Sequence, residues 1–208
     1  MNCELNTINY PHNMEHIILA SESPRRQEYL RLLGLPFSCV PSLADESLDG
    51  QPAPDAAVEE LARRKLRKVL EMPGYENPTW ILAADTIIAF DGRIYGKPLD
   101  RDDAGSMLRV FRGREHQVIT ALALYSGRKK AVDCRTVTSS VSFAPLSEEE
   151  IKWYLDSGEW KGVAGAYRIQ GLASCFITGI HGSFSSIVGL PLREFYVMLR
   201  DNGYFFGG

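Results

Sequence analysis

Runs and stripes of apolar residues alternate along the chain, and each kind predicts a different element. Ile17 to Ala20 is a short continuous run, the mark of a buried strand. It stops at Ser21-Glu22-Ser23, and a helix is predicted at once over 24–33. Ser23 suits the N-cap, Pro24 the first helical position and Gly34 the stop. Tyr29, Leu30, Leu32 and Leu33 are its expected apolar face. Phe37 to Val40 reads as a second strand, followed by a polar, proline-containing loop over 41–54. From 55 to 71, Val58, Leu61, Ala62, Leu66 and Val69 recur at helical spacing. Trp80 to Phe90 is the strongest strand signal, and Asp91-Gly92 predicts a tight hairpin turn into a return strand. Asp100 caps a third helix, with Ala104, Met107, Leu108 and Phe111 inward, which Gly113 ends. Strands follow over 118–125 and 131–143, then a helix opened by the capping box Ser147-x-x-Glu150 and closed by Gly158. A strand over 175–180, a Gly182-Ser183 turn and a last helix, with Pro191 at its first position, complete the pattern. Strands and helices interleaved in this way, without linker or repeat, predict one α/β domain, with a cleft between two lobes.

Composition narrows the function classes. A chain of 208 residues with 45% hydrophobic and 24% charged residues has enough apolar surface for one sizeable core. Its formal net charge of −3 gives no global attraction to nucleic acid or to an anionic membrane, so any basic site must be local. No apolar run approaches the roughly 18 residues of a membrane span. The first 15 residues are polar and Asn-rich without an apolar core, and read as a flexible extension ahead of a domain over 16–208. Cys3, Cys39, Cys134 and Cys175 are scattered without metal-ligand spacing, which fits free thiols in a reducing cytoplasm.

A few residues break the local rules. Arg25 and Arg26 put two cations in the first helical turn, where the macrodipole favours anions. A bound phosphate would resolve the conflict, held by free N–H groups, the Ser21 and Ser23 hydroxyls and two guanidinium forks. Lys65 falls on the apolar stripe, where it either snorkels to the edge or reaches across a cleft to a phosphate. Asp85 interrupts an apolar strand; it is either bonded to backbone amides or it is a catalytic base or metal ligand. Lys97 lies in a stiff Gly-Lys-Pro turn. The acidic cluster Asp45, Glu46 and Asp49 reads from spacing alone as solvated loop charge, and His116 as structural or as a donor that supports a residue of the site. Small residues bracket Tyr167 and Gln170, as if the backbone there approached a ligand, and Gln170 needs partners for both its carbonyl and its amide.

Taken together these stretches resemble the Maf family of nucleoside triphosphate pyrophosphatases, once described as septum-formation proteins. The matching residues are Ser21-x-Ser23-Pro24-Arg25-Arg26, Leu61-Ala62-x-x-Lys65, Ala84-Asp85-Thr86, Gly96-Lys97-Pro98, Gly113-Arg114-x-His116-x-Val118-x-Thr120, Gly165-Ala166-Tyr167-x-Ile169-Gln170-Gly171 and Gly189-Leu190-Pro191. The resemblance implies an α/β fold of the Maf and ITPase-like kind: a central mixed, twisted sheet flanked by helices, with the substrate cleft between two lobes. It also implies a divalent cation, Mg²⁺ or Mn²⁺, often a homodimer, and no nucleic-acid or membrane partner.

By the same resemblance, Asp85 is the proton acceptor, and Glu46 and Asp85 hold the metal. Ser21, Ser23, Arg25, Arg26, Lys65 and Lys97 bind phosphates, and Arg25, Thr86 and Gln170 set specificity. Glutamine at 170 accompanies the branch acting on dTTP and UTP, including modified pyrimidine forms. Glutamate there accompanies the branch acting on methylated GTP. The sequence departs from the pyrimidine branch at Gly162-Val163, where an Asp-Lys pair is usual, and at Arg168, where glycine is common. The competing expectation is a non-catalytic nucleotide-binding regulator of cell division.

Overall fold

The strand β3 (Trp80–Phe90) is the axis of the molecule. In the computed structural model, which describes residues 14–48, 50, 52–75 and 77–206, one edge of β3 pairs antiparallel with β5 (Glu115–Ser126) from Trp80 to Ala89. The other edge is shared. β1 (Ile17–Leu19) pairs parallel with it at Ile81 and Leu82, and β4 (Arg93–Tyr95) pairs antiparallel at Ile88 to Phe90. The full sheet has seven strands in the order β2-β1-β3-β5-β6-β7, with β4 on β3 and with β2 at Phe37–Cys39, β6 at Ala131–Phe143 and β7 at Ile177–His181. Parallel pairs at one end and antiparallel pairs at the other make it the mixed sheet that was expected.

Side chains alternate along β3 and so define two cores. Ile81, Ala83, Ile87 and Ala89 face α2 (Pro54–Leu70), whose Val58, Leu61, Ala62, Leu66 and Val69 are buried against them. Fully buried side chains of this kind stabilise by roughly 1.5–3 kcal/mol each. Trp80, Leu82 and Ala84 face the other way, onto Leu30 of α1 (Pro24–Leu32) and Phe195, Met198 and Leu199 of α6 (Leu192–Asp201). A third core forms the second lobe. It gathers α3 (Arg101–Phe111), α4 (Glu148–Ser157) and the segment 163–176 around Phe111, Phe143, Tyr154 and Tyr167.

The structure departs from the sequence pattern in several places. Leu32 is 65% exposed: two residues after Leu30 it is rotated about 200° round the helix, onto the solvent side. Ser23 occupies the N-cap of α1, but its side chain makes no capping bond. Pro191 is the N-cap of α6 rather than its first helical residue. The residues expected to begin the last strand, from Cys175, close a 3₁₀ turn at Leu172–Phe176 before β7 starts. A short helix, α5 (Phe184–Val188), follows the Gly182-Ser183 turn; at five residues it is too brief for a periodic signal. Glu15, within the expected extension, accepts from Trp80 Nε1 at 3.0 Å and from Arg128 at 2.6 Å. Residues 1–13 lie outside the described residues, as do Cys3 and Asp49. Among the described residues Cys39, Cys134 and Cys175 are free thiols, and no helix is long and apolar enough to cross a membrane.

Candidate active site

β1 leaves the shared edge of β3 after Leu82, and β4 joins it only at Ile88. Between them the edge opens, and Asp85 and Thr86 sit in the opening. A cleft of about 700 Å³ lies there, lined by the β1–α1 loop, the loop after β2, α2, the Gly96-Lys97 turn and the segment 162–170. The split edge therefore explains why a polar site interrupts the most apolar strand.

Asp85 has the parity of Ala83 and Ile87, so it faces α2. Lys65 lies one turn beyond Leu61 and meets it there: its ammonium ion-pairs directly with the Asp85 carboxylate, and both side chains are 11% exposed. The same ammonium bonds Glu46 at 2.8 Å, and Glu46 receives Lys97 at 2.8 Å. The result is an alternating chain, Lys97–Glu46–Lys65–Asp85. Burial alone would raise the Glu46 carboxyl, but hydrogen bonds from Lys65 and Lys97 outweigh it and hold the group at about 2. Glu46 is aimed by its neighbours. Arg64 of α2 donates to the backbone carbonyls of Asp45 and Ser47, at 2.8 Å each, and so pins the loop on both sides of it. Asp45 turns away and accepts from Ser47. Of the acidic cluster, then, Asp45 stays a loop charge and Glu46 enters the cleft. Lys65 does not snorkel.

Thr86 has the opposite parity and enters a different network. Its hydroxyl is 2.9 Å from that of Thr120, its register partner on β5, and Thr120 donates to the Ser186 carbonyl of α5 at 2.8 Å. Arg26 closes the set. It donates to the Gly189 carbonyl at 2.9 Å, to Ser21 Oγ at 3.0 Å and, more weakly, to Thr86 Oγ1 at 3.4 Å. Only 9% exposed, its guanidinium is pushed below the ordinary arginine value by burial, against the pull of Asp85. Arg26 was expected to grip phosphate; the structure commits three of its nitrogens to protein oxygens and makes it a clamp between α1, β3 and α5. Thr120, Ser186 and Gly189 have no local signal for this role, which depends on strand register and on an unforeseen helix.

The rest of the α1 turn stays available to a ligand. Ser21 Oγ accepts from Arg26 and from the Ser23 N–H at 3.2 Å, which leaves its own proton to donate. Ser23 Oγ makes no hydrogen bond among the described residues, and neither does the Arg25 guanidinium. The Arg25 and Arg26 N–H groups precede the first helical bond, from Gln27 to Ser23, so they too can face an anion. Gln170 is exposed and lines the cleft. Gly165 serves packing rather than close approach to a ligand: its φ is +66°, and a Cβ there would collide with Ile88. Tyr167, beside it, bonds buried His116 at 2.8 Å. His116 stacks on Phe111, burial lowers it to about 4, and its Nδ1 has no partner among the described residues. Of its two expected roles, the buried stacking favours the structural one.

Known proteins place this arrangement. Residues 16–202 match the family model described as Maf-like protein. The chain is 45% identical over 198 residues to the dTTP/UTP pyrophosphatase of Symbiobacterium thermophilum, covering 94% of this chain and 99% of that one. It is 46% identical over 189 residues to the dTTP/UTP pyrophosphatase of Hahella chejuensis, covering 90% and 92%. Among solved structures, the Ham1 protein of Staphylococcus aureus aligns at 15% identity over 63% of this chain and 73% of that one, with a TM-score of 0.45, a likeness too weak to bear on function. With nearly the whole described domain matched, the chain belongs to the Maf family.

Proposed function

We propose that this chain hydrolyses nucleoside triphosphates to the monophosphate and pyrophosphate, and that dTTP and UTP are its substrates. The observation that carries the reading is the chain Lys97–Glu46–Lys65–Asp85 at the floor of the cleft, in a sequence so similar to proteins of that name. Triphosphate oxygens entering the cleft compete with the carboxylates for Lys65 and Lys97. As the lysines turn to phosphate, Asp85 is released to accept the proton of a water that attacks the α-phosphorus in line. Pyrophosphate leaves opposite, its growing charge met by the lysines, Arg25 and the N–H groups that open α1.

The donor set fits a divalent cation. Glu46 and Asp85 both reach one ammonium, so their oxygens already converge on a shared positive charge. Hard oxygen donors of this kind suit Mg²⁺ or Mn²⁺. Among the described residues no third His, Cys, Asp or Glu joins them, so water and phosphate oxygens would complete the shell. Bound there, such an ion supplies Lewis-acid stabilisation of charge on the phosphates.

Gln170 supports the pyrimidine preference. Uracil and thymine present an N–H between two carbonyls, and an amide that both donates and accepts matches that edge. The cytoplasmic location and the homodimer that the family resemblance implies belong to this reading as well. The test is pyrophosphate release from dTTP, UTP, CTP, GTP, methylated GTP and ATP, with Mg²⁺ or Mn²⁺. Fast release from dTTP and UTP is expected. Faster release from methylated GTP would overturn the base preference. Bound nucleotide without any release would leave the regulator.

A further inference from the structure

The segment before β7 carries a residue that the proposed reaction has not used. Arg168 lies between Tyr167 and Ile169, residues that are 5% and 6% exposed in the core of the second lobe. The Tyr167–His116 bond and the bond from the Gly165 N–H to the Gly96 carbonyl, at 2.9 Å, fix the backbone on that side. Arg168 therefore leaves a rigid anchor, and its side chain lines the same cleft as Arg25. Its Nε is buried without a partner, and the one side-chain hydrogen bond it makes among the described residues is a long one, 3.4 Å, to the Lys161 carbonyl. Neither Arg168 nor Arg25 makes an ion pair among the described residues, although every other cation lining the cleft is bonded there. The two guanidinium groups feel each other: burial first, then the charge of Arg168, lowers Arg25 below its ordinary value.

Two like charges held near each other in a half-buried cleft are unfavourable until an anion joins them. The lysine wall carries two cations bonded to two carboxylates, whereas Arg25 and Arg168 have no carboxylate within ion-pair distance among the described residues: Glu22 lines the cleft and Glu28 pulls on Arg25, but neither pairs with them. A neutral pyrimidine leaves that excess in place. The two terminal phosphates, which carry most of the substrate's charge and depart as pyrophosphate, remove it. We propose that Arg168 and Arg25 form the seat of the leaving pyrophosphate, with Arg168 gripping it from the second lobe so that the substrate bridges the cleft. This rests on the pyrophosphatase reading and assigns one further substrate-binding residue to it.

The test is calorimetric titration of the full chain with inorganic pyrophosphate and, separately, with UMP. Wild type is compared with Arg168→Gln and Arg168→Lys. Loss of a charged, bidentate contact weakens affinity by roughly 10- to 100-fold. Arg168→Gln is expected to weaken pyrophosphate by at least about tenfold and leave UMP unchanged, with an unaltered melting temperature. Arg168→Lys is expected to fall between, since it keeps the charge and loses the fork. Unchanged pyrophosphate affinity, or an equal loss for UMP, would overturn the proposal. The titration needs no turnover. A wild-type chain that releases no pyrophosphate from any nucleotide would sink the functional reading and leave this result to be judged separately.

Discussion

Two neighbouring residues of one strand, Asp85 and Thr86, lead into networks of opposite character. On the α2 face, Asp85 joins an ionic chain whose far end is open: Glu46 and Lys97 have side chains 44% and 57% exposed. Its members are matched in charge and held by contacts that an incoming phosphate can replace. On the other face, Thr86 joins Arg26, Thr120, Ser186 and Gly189 in a network of neutral acceptors around one buried cation. Nothing there gains by exchanging partners, since an unpaired buried guanidinium costs far more than the bonds it makes. The period-2 pleat thus separates chemistry from clamp within two residues. The first network is poised to rearrange, and the second fixes the helix terminus and β3 against which it does so.

Substitutions can break this contrast. The largest effect is expected from Asp85→Asn, which keeps shape and a contact for Lys65 but cannot accept a proton; kcat for dTTP should fall by about 10² or more. Arg26→Met on the clamp should act through stability. It leaves the Gly189 carbonyl and the two hydroxyls without their donor, at a cost of about 3 kcal/mol, read by denaturant unfolding. His116, under the second lobe, sharpens the picture through pH. Its folded value of about 4 lies below the ordinary 6.5, so the unfolded chain binds the proton first. The neutral histidine's contribution is whole above pH 6.5 and is lost as pH falls towards 4, about 3 kcal/mol in all. His116→Gln should flatten that acid limb in unfolding curves. The smallest effect is expected from Thr120→Val, about 1 kcal/mol, with its hydroxyl bonds to Thr86 and Ser186 gone.

Much of this was legible in the sequence, for identifiable reasons. The Trp80–Phe90 run, the Asp91-Gly92 turn and the Ser147 capping box are local signals, and the structure reproduces each. Asp85 and Lys65 stood out because each violates the pattern of the element that carries it. Glu46 did not, because a loop acid looks alike whether it is solvated or aimed; Arg64, eighteen residues away, does the aiming. The clamp was hidden for the same kind of reason. Arg26 looks like a second phosphate fork until register places Thr120 opposite Thr86 and α5 brings the Gly189 carbonyl to it. Gly165 looked like an approach to a ligand and proved to be room for Ile88.

The most direct test of the division between the two faces pairs two readouts on two variants: pyrophosphate release from dTTP and melting temperature, in the same buffer, for Asp85→Asn and Arg26→Met. The expected result is crossed. Asp85→Asn loses turnover by about 10² with its melting temperature within a few degrees of wild type, and Arg26→Met melts well below both. Wild-type kcat in Asp85→Asn, or an unshifted melting temperature in Arg26→Met, would contradict the account.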